Sequence, residues 1–143
     1  MNEEDSMAPR PSSYHPAIGT YVRELDGSWW AQSMLGCLDY PVRVRCSGSH
    51  SEETAVLMFQ QAITKLPGRV MECVQGGLLK IEDVSGMPSD YSITRAHIES
   101  IKMASTGEFR IVLEGFEDDI GYEVCPCIDL SAQLELVAAR WIV

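Results

Sequence analysis

With 143 residues, 45% of them apolar, the chain is long enough for one hydrophobic core and is read as one domain. A formal charge of −10 argues against nucleic acid or an anionic membrane as a ligand and favours a basic partner. No apolar run approaches the ~20 residues needed to cross a bilayer. The acidic start Met1-Asn2-Glu3-Glu4-Asp5 is unlike a secretory signal, so a cytoplasmic location is expected.

Residues 1–17 carry three prolines and read as a flexible arm, with one domain over 18–143. Residues 19–25 are extended, with Tyr21 as an apolar anchor. Asp26-Gly27 is a hairpin signal. Trp29-Trp30 opens the return strand toward Leu38, and adjacent strand residues face opposite ways, so one indole is expected inside and one outside. Pro41 breaks that strand. Val42, Val44 and Cys46 then alternate with Arg43 and Arg45, an apolar face against a wet one. Ser49 with Glu52 fits a capping box, and Ser51 is an alternative N-cap.

Ala55, Phe59, Ala62, Ile63 and Leu66 recur at helical spacing, and Pro67-Gly68 ends that helix. A second helix over 69–83 has Val70, Cys73, Val74, Leu78 and Ile81 as its stripe. Its Gly76-Gly77 marks either a break or a close approach to the sheet. Residues 85–92 read as a loop and 94–99 as a short helical turn. A four-strand meander follows, with turns at Thr106-Gly107, 115–119 and 129–132. Phe109, Ile111 and Leu113 alternate on one strand, Ile120, Tyr122 and Val124 on the next, and Leu134, Leu136 and Ala138 on the last.

Strands grouped apart from helices imply an α+β fold: a mostly antiparallel sheet of about seven strands, three and then a four-strand meander, with two central helices packed on one face. The expected core is Phe59, Ile63, Leu66, Val70, Val74, Ile111, Leu113, Val124, Leu134 and Leu136.

Five cysteines (37, 46, 73, 125, 127) have no regular spacing and read as free thiols. Cys125-Pro126-Cys127 puts two sulfurs on one strand face, but zinc wants four ligands and a second pair is missing. Packing is the preferred reading, with no metal and no cofactor. His15, His50 and His97 are scattered and form no motif, so no catalytic residue is assigned and the chain is read as a non-enzyme. Gly76-Gly77 lacks the Lys-Ser/Thr of a phosphate loop.

Charge is the more informative signal. From residue 108 onward eight acids face two bases, so more than half of the excess negative charge lies in the last quarter of the chain. Glu114, Glu117, Asp118, Asp119 and Glu123 form an expected acidic knob that docks into a basic cleft, with Trp29 and Trp30 as the second candidate partner-binding surface.

The order of hairpin, helix pair and meander, with Gly121, Glu123, Val124, Ile128 and Asp129 in the pattern G-x-E-V-x-x-x-I-D-L, resembles small uncharacterised bacterial α+β domains of the immunity-protein kind. Those protect against polymorphic or contact-delivered toxins. The resemblance implies a cytoplasmic, acidic protein that covers a toxin's active site by direct binding and has no catalytic residues of its own. Two alternatives stand beside it: a secretion chaperone for an effector, and a thiol- or metal-dependent enzyme built on Cys125 and Cys127.

Overall fold

The computed structural model describes residues 12–35, 38, 40–85, 97–117 and 123–142. Its elements run β1 (Ser12–His15), β2 (Gly19–Arg23), β3 (Trp29–Met34), β4 (Pro41–Cys46), α1 (Glu52–Lys65), α2 (Val70–Ser85), β5 (Ile98–Met103), β6 (Phe109–Leu113), β7 (Phe116–Glu117), β8 (Glu123–Leu130) and β9 (Leu136–Ile142). The fold is α+β, with the strands in the order β1-β2-β3-β4-β5-β6-β8-β7 and β9 on the other side of β8.

All neighbours are antiparallel except β4 and β5, which run parallel because the two helices carry the chain back between them. α1 packs over β3 and β4, and α2 over β8 and β9. Both lie on the same face. Tyr21, Ala31, Val44, Ile101, Ile111 and Ile128 are successive cross-strand neighbours. All six are buried and form the floor under the helices.

Local chemistry explains the element ends. Ser51 is the N-cap of α1, its Oγ accepting from the Thr54 N–H at 3.2 Å, and Glu52 and Glu53 occupy the first turn where the helix dipole favours acids. Pro41 starts β4 instead of ending a strand, a position that needs no ladder N–H. Pro126 lies inside β8. On one edge β6 pairs with residues 127–130 and β7 with 123–124, so neither uses residue 126, while on the other edge Pro126 stands opposite Trp141 of β9.

Three hairpins share one geometry, a tight turn followed by a residue of positive φ. In the loops at 24–28 and 104–108 that residue is Gly27 (φ 85°) or Gly107 (φ 93°). In the loop at 131–135 it is Leu134, at φ 63°. A left-handed leucine costs roughly 1–2 kcal/mol. Its burial at 6% exposure, with its carbonyl accepting from the Cys73 thiol at 3.5 Å, offsets that strain.

Several expectations are corrected. Residues 12–15, inside the stretch read as an arm, form a strand paired with β2. Residues 98–99 belong to β5, not to a helical turn, because Ile98 pairs with Leu113. The last turn is at 131–135, not 129–132, and β9 begins at Leu136. Leu134 is therefore core from a turn, Leu136 is 37% exposed, and Val124 and Ile63 are only partly buried. The other six predicted core residues are fully buried. The expected four-strand antiparallel meander is present as β5-β6-β8-β9, with the two-residue β7 added beside β8. Of the loop read at 85–92, Ser85 ends α2; residues 86–92 and 94–96, Ile120, Gly121, Tyr122, Cys37 and the arm over 1–11 lie outside the described residues.

Helix α2 runs unbroken through Gly76 and Gly77, and the two differ. A Cβ on Gly77 would sit 2.7 Å from Ile128 Cγ1, whereas Gly76 has open space. Gly76→Ala is expected to stabilise by roughly 0.5–1 kcal/mol through helix propensity alone. Gly77→Ala gains the same propensity but overpacks the helix–sheet contact, at a cost of ~1–3 kcal/mol. Chemical denaturation of the two variants should move in opposite directions. Equal stabilisation by both would mean that α2 does not seat on β8 through Gly77.

Candidate functional site

Because side chains alternate across the pleat, the residue after each floor residue, or before it where the strand runs the other way, points away from the helices. Those residues form a second transverse row on the open face. In cross-strand order it reads Val22, Trp30, Arg45, Lys102, Arg110, Asp129 and Ala138. Beside it runs a parallel row of Gln32, Arg43, Ser100, Val112, Cys127 and Arg140. Five of the chain's eleven Lys and Arg residues therefore share this face: Arg43, Arg45, Lys102, Arg110 and Arg140. The charge of −10 describes the whole chain and not this face, where the local sign is reversed.

Arg45, Lys102 and Arg110 are direct neighbours on β4, β5 and β6. Like charges placed directly opposite one another destabilise a sheet by a few tenths to ~1 kcal/mol per pair. Among the described residues no hydrogen bond or ion pair within 4 Å engages Arg45 or Lys102, and the one carboxylate that feels the Arg45 charge is the exposed Asp26, held low chiefly by Ser28. The surrounding groups are more tightly held. Arg43 lies 4.5 Å over the Trp30 ring, a cation–π contact, and the Trp30 Nε1–H donates to Glu24 Oε1.

At the other end of the row one carboxylate serves two guanidiniums. Arg110 Nε donates to Asp129 Oδ1 at 2.8 Å and Arg140 Nη1 to Oδ2 at 2.6 Å. Burial pushes the Asp129 carboxyl up, but the Arg110 and Arg140 bonds outweigh it and hold the group below the usual carboxylate range. A cavity of about 430 Å³ opens beside the row, lined by Gln32, Arg43, Arg45, Glu99, Ser100 and Lys102. A second, of about 480 Å³, is walled by Lys102, Arg110 and the β8–β9 turn.

The residues expected to bind a partner are placed as follows. Trp29 is buried at 7% exposure and its Nε1–H donates to the His50 carbonyl at 2.8 Å, so it is a structural residue. Trp30 is the outward indole of the pair and belongs to the basic face. Glu114 is exposed and 3.9 Å from His97. Glu117 and Glu123 are register partners of β7 and β8, while Asp118 and Asp119 lie outside the described residues.

The Cys46, Cys73 and Cys127 thiols are buried. Burial pushes Cys46 up to about 12, and also raises Cys73 and Cys127. Cys127 is a buried thiol and Cys125 is partly exposed, and among the described residues no three His, Cys, Asp or Glu side chains converge as a metal site.

Sequence reasoning marked Arg43 and Arg45 as a wet face but did not reach the row. The signal is a lone outward cation on each of β5, β6 and β9, which means nothing until the strand order is known. No protein-family model matches the chain, and comparison with curated proteins and with solved structures gives no match.

Proposed function

We propose that this chain is a non-catalytic binding protein that docks a protein partner on the open face of its sheet. The observation that carries the reading is the alignment of Arg45, Lys102 and Arg110 across three adjacent strands, in which only Arg110 has an ion-pair partner, Asp129. A fold that only needed to be stable would not keep Arg45 and Lys102 side by side with no ion-paired counter-charge. A partner's anionic surface supplies that charge, fixes the docking register and speeds encounter. The resemblance to toxin-immunity proteins makes a cognate bacterial toxin, neutralised by direct binding, the partner class to test first. This reading replaces the acidic hairpin as the primary surface and reverses the expected charge of the partner's contact region.

One substitution separates docking from folding. Lys102→Glu turns two repulsions into attractions, so it is expected to stabilise the free protein by roughly 0.5–1.5 kcal/mol. The same change is expected to weaken binding to the cognate toxin at least tenfold, with a smaller salt dependence. Calorimetric titration at two salt concentrations and a thermal melt read both effects. Unchanged affinity for a partner that binds the parent protein would remove this face as the dock. If replacing Glu114, Glu117, Asp118 and Asp119 with Ser abolished binding instead, the acidic hairpin would be restored as the site.

A further inference from the structure

Resting on docking through the open face, we propose that the ligand element is a short extended acidic segment of the partner, with carboxylates at alternate positions, laid across β4, β5 and β6. Strands lie ~4.8 Å apart, so the row from Arg45 through Lys102 to Arg110 is about 10 Å long. An extended peptide presents same-side residues at intervals of ~6.6–6.8 Å. Carboxylates at positions i and i+2 then fall between successive cations, each within reach of two of them. The guanidinium forks at the two ends suit bidentate carboxylate pairing, and the central ammonium can serve either acid.

The surroundings define the length of the segment. Asp129 closes one end of the row, where it already holds Arg110 and Arg140. Trp30 and Val22 close the other with apolar surface. Glu99 on the cavity rim repels a further acid on that side. The site therefore takes two or three carboxylates and no more. The cation–π contact holds Arg43 at the Trp30 ring, beside the row, as an additional donor at the apolar end.

A nucleic acid fits the same observations less well. Tight non-specific binding neutralises on the order of 6–10 phosphates, and this face has five cations, two of them already shared with Asp129. Single strands also need several aromatic platforms. The outward aromatics of the described strands on this face are Trp30, with Arg43 already over its ring, and Tyr14 on the edge strand β1, which is too few for a stacking track. A long polyanion would meet the protein's overall charge of −10, whereas a segment shorter than a few Debye lengths of ~8 Å is governed by the local row.

The test uses the full chain and a fluorescein-labelled octapeptide of alternating Glu and Ser, read by anisotropy at low and moderate salt. Three comparison probes are a Lys-Ser octapeptide, a Glu-Glu-Ser-Ser octapeptide of the same composition, and an eight-nucleotide oligothymidylate. The expected result is saturable binding of the alternating acidic peptide that falls with salt and weakens at least tenfold in Arg45→Gln/Lys102→Gln. The alternating peptide should bind more tightly than the blocked one, and the Lys-Ser peptide not at all. The glutamine pair removes repulsion, so the variant should fold, and a thermal melt at or above the parent's verifies it. Tighter binding of the oligothymidylate would assign the face to nucleic acid and overturn the proposal. Absence of peptide binding, or peptide binding unaffected by the glutamine pair, would also overturn it. If binding of the cognate toxin still required Arg45 and Lys102 in that case, docking on this face would stand and only the acidic-segment ligand would fall.

Discussion

Phe59→Ala is expected to destabilise the protein by ~3–5 kcal/mol, a large part of the 5–15 kcal/mol that a domain of this size has in total. Phe59 is fully buried at the middle of α1, where its ring lies 6.2 Å from that of Tyr21, which in turn lies 5.9 Å from Trp29. The polar ends of that cluster are fixed, since the Tyr21 hydroxyl donates to Glu52 at 2.7 Å and the Trp29 indole to the His50 carbonyl. Neither ring can slide into the space that Phe59 leaves, so the cavity persists and the cost falls in the upper part of the range for large-to-small changes. Thermal unfolding should shift down by roughly 10–20 °C. Phe59→Leu keeps most of the volume and should cost less than ~1.5 kcal/mol. A loss below 1 kcal/mol for the alanine variant would show that α1 is not anchored through this ring.

How far the sequence reveals this molecule depends on the range over which each feature is encoded. The α1 stripe is local. Ala55, Phe59, Ala62 and Leu66 recur within four turns and are all buried. The inside–outside assignment of Trp29 and Trp30 is local too, because it follows from the pleat alone. The β8–β9 hairpin was misplaced for an identifiable reason. Its positive-φ position holds Leu134 instead of glycine, so the turn signal that marks Gly27 and Gly107 is missing. The basic row is not local at any point. Arg45 and Lys102 are 57 positions apart and become neighbours only because two helices return the chain for a parallel pairing of β4 with β5. Total charge pointed the other way, since the acids that dominate it lie elsewhere in the chain. The concentration of acids from residue 108 onward therefore marks the acidic hairpin in the sequence and hides the opposite sign on one face.

Asp129→Asn is expected to act as the mirror image of Lys102→Glu, destabilising the fold while strengthening its grip on anions. The carboxylate accepts from Arg110 and Arg140, and their combined pull keeps its pKa low despite burial. Removing the charge leaves two guanidiniums facing each other across an amide. With both arginine side chains 45% exposed, solvent screens part of the loss, and a cost on the order of 1–2 kcal/mol at neutral pH is expected. Because the folded-state pKa lies below the unfolded value of ~3.9, this stability is complete above that pH and disappears as pH falls through the folded value. The gap between parent and variant in denaturant midpoint should therefore be constant near neutrality and close on the acid side. A gap that persists undiminished at pH 2 would mean that the side chain's shape, not its charge, matters. The same substitution frees Arg110 for the aligned row, so affinity for the acidic octapeptide should rise severalfold. A stability loss with no gain in affinity would place Asp129 outside the docking surface. Opposite movement of stability and affinity in both variants is the signature of charges held against the fold's own interest for the sake of a ligand.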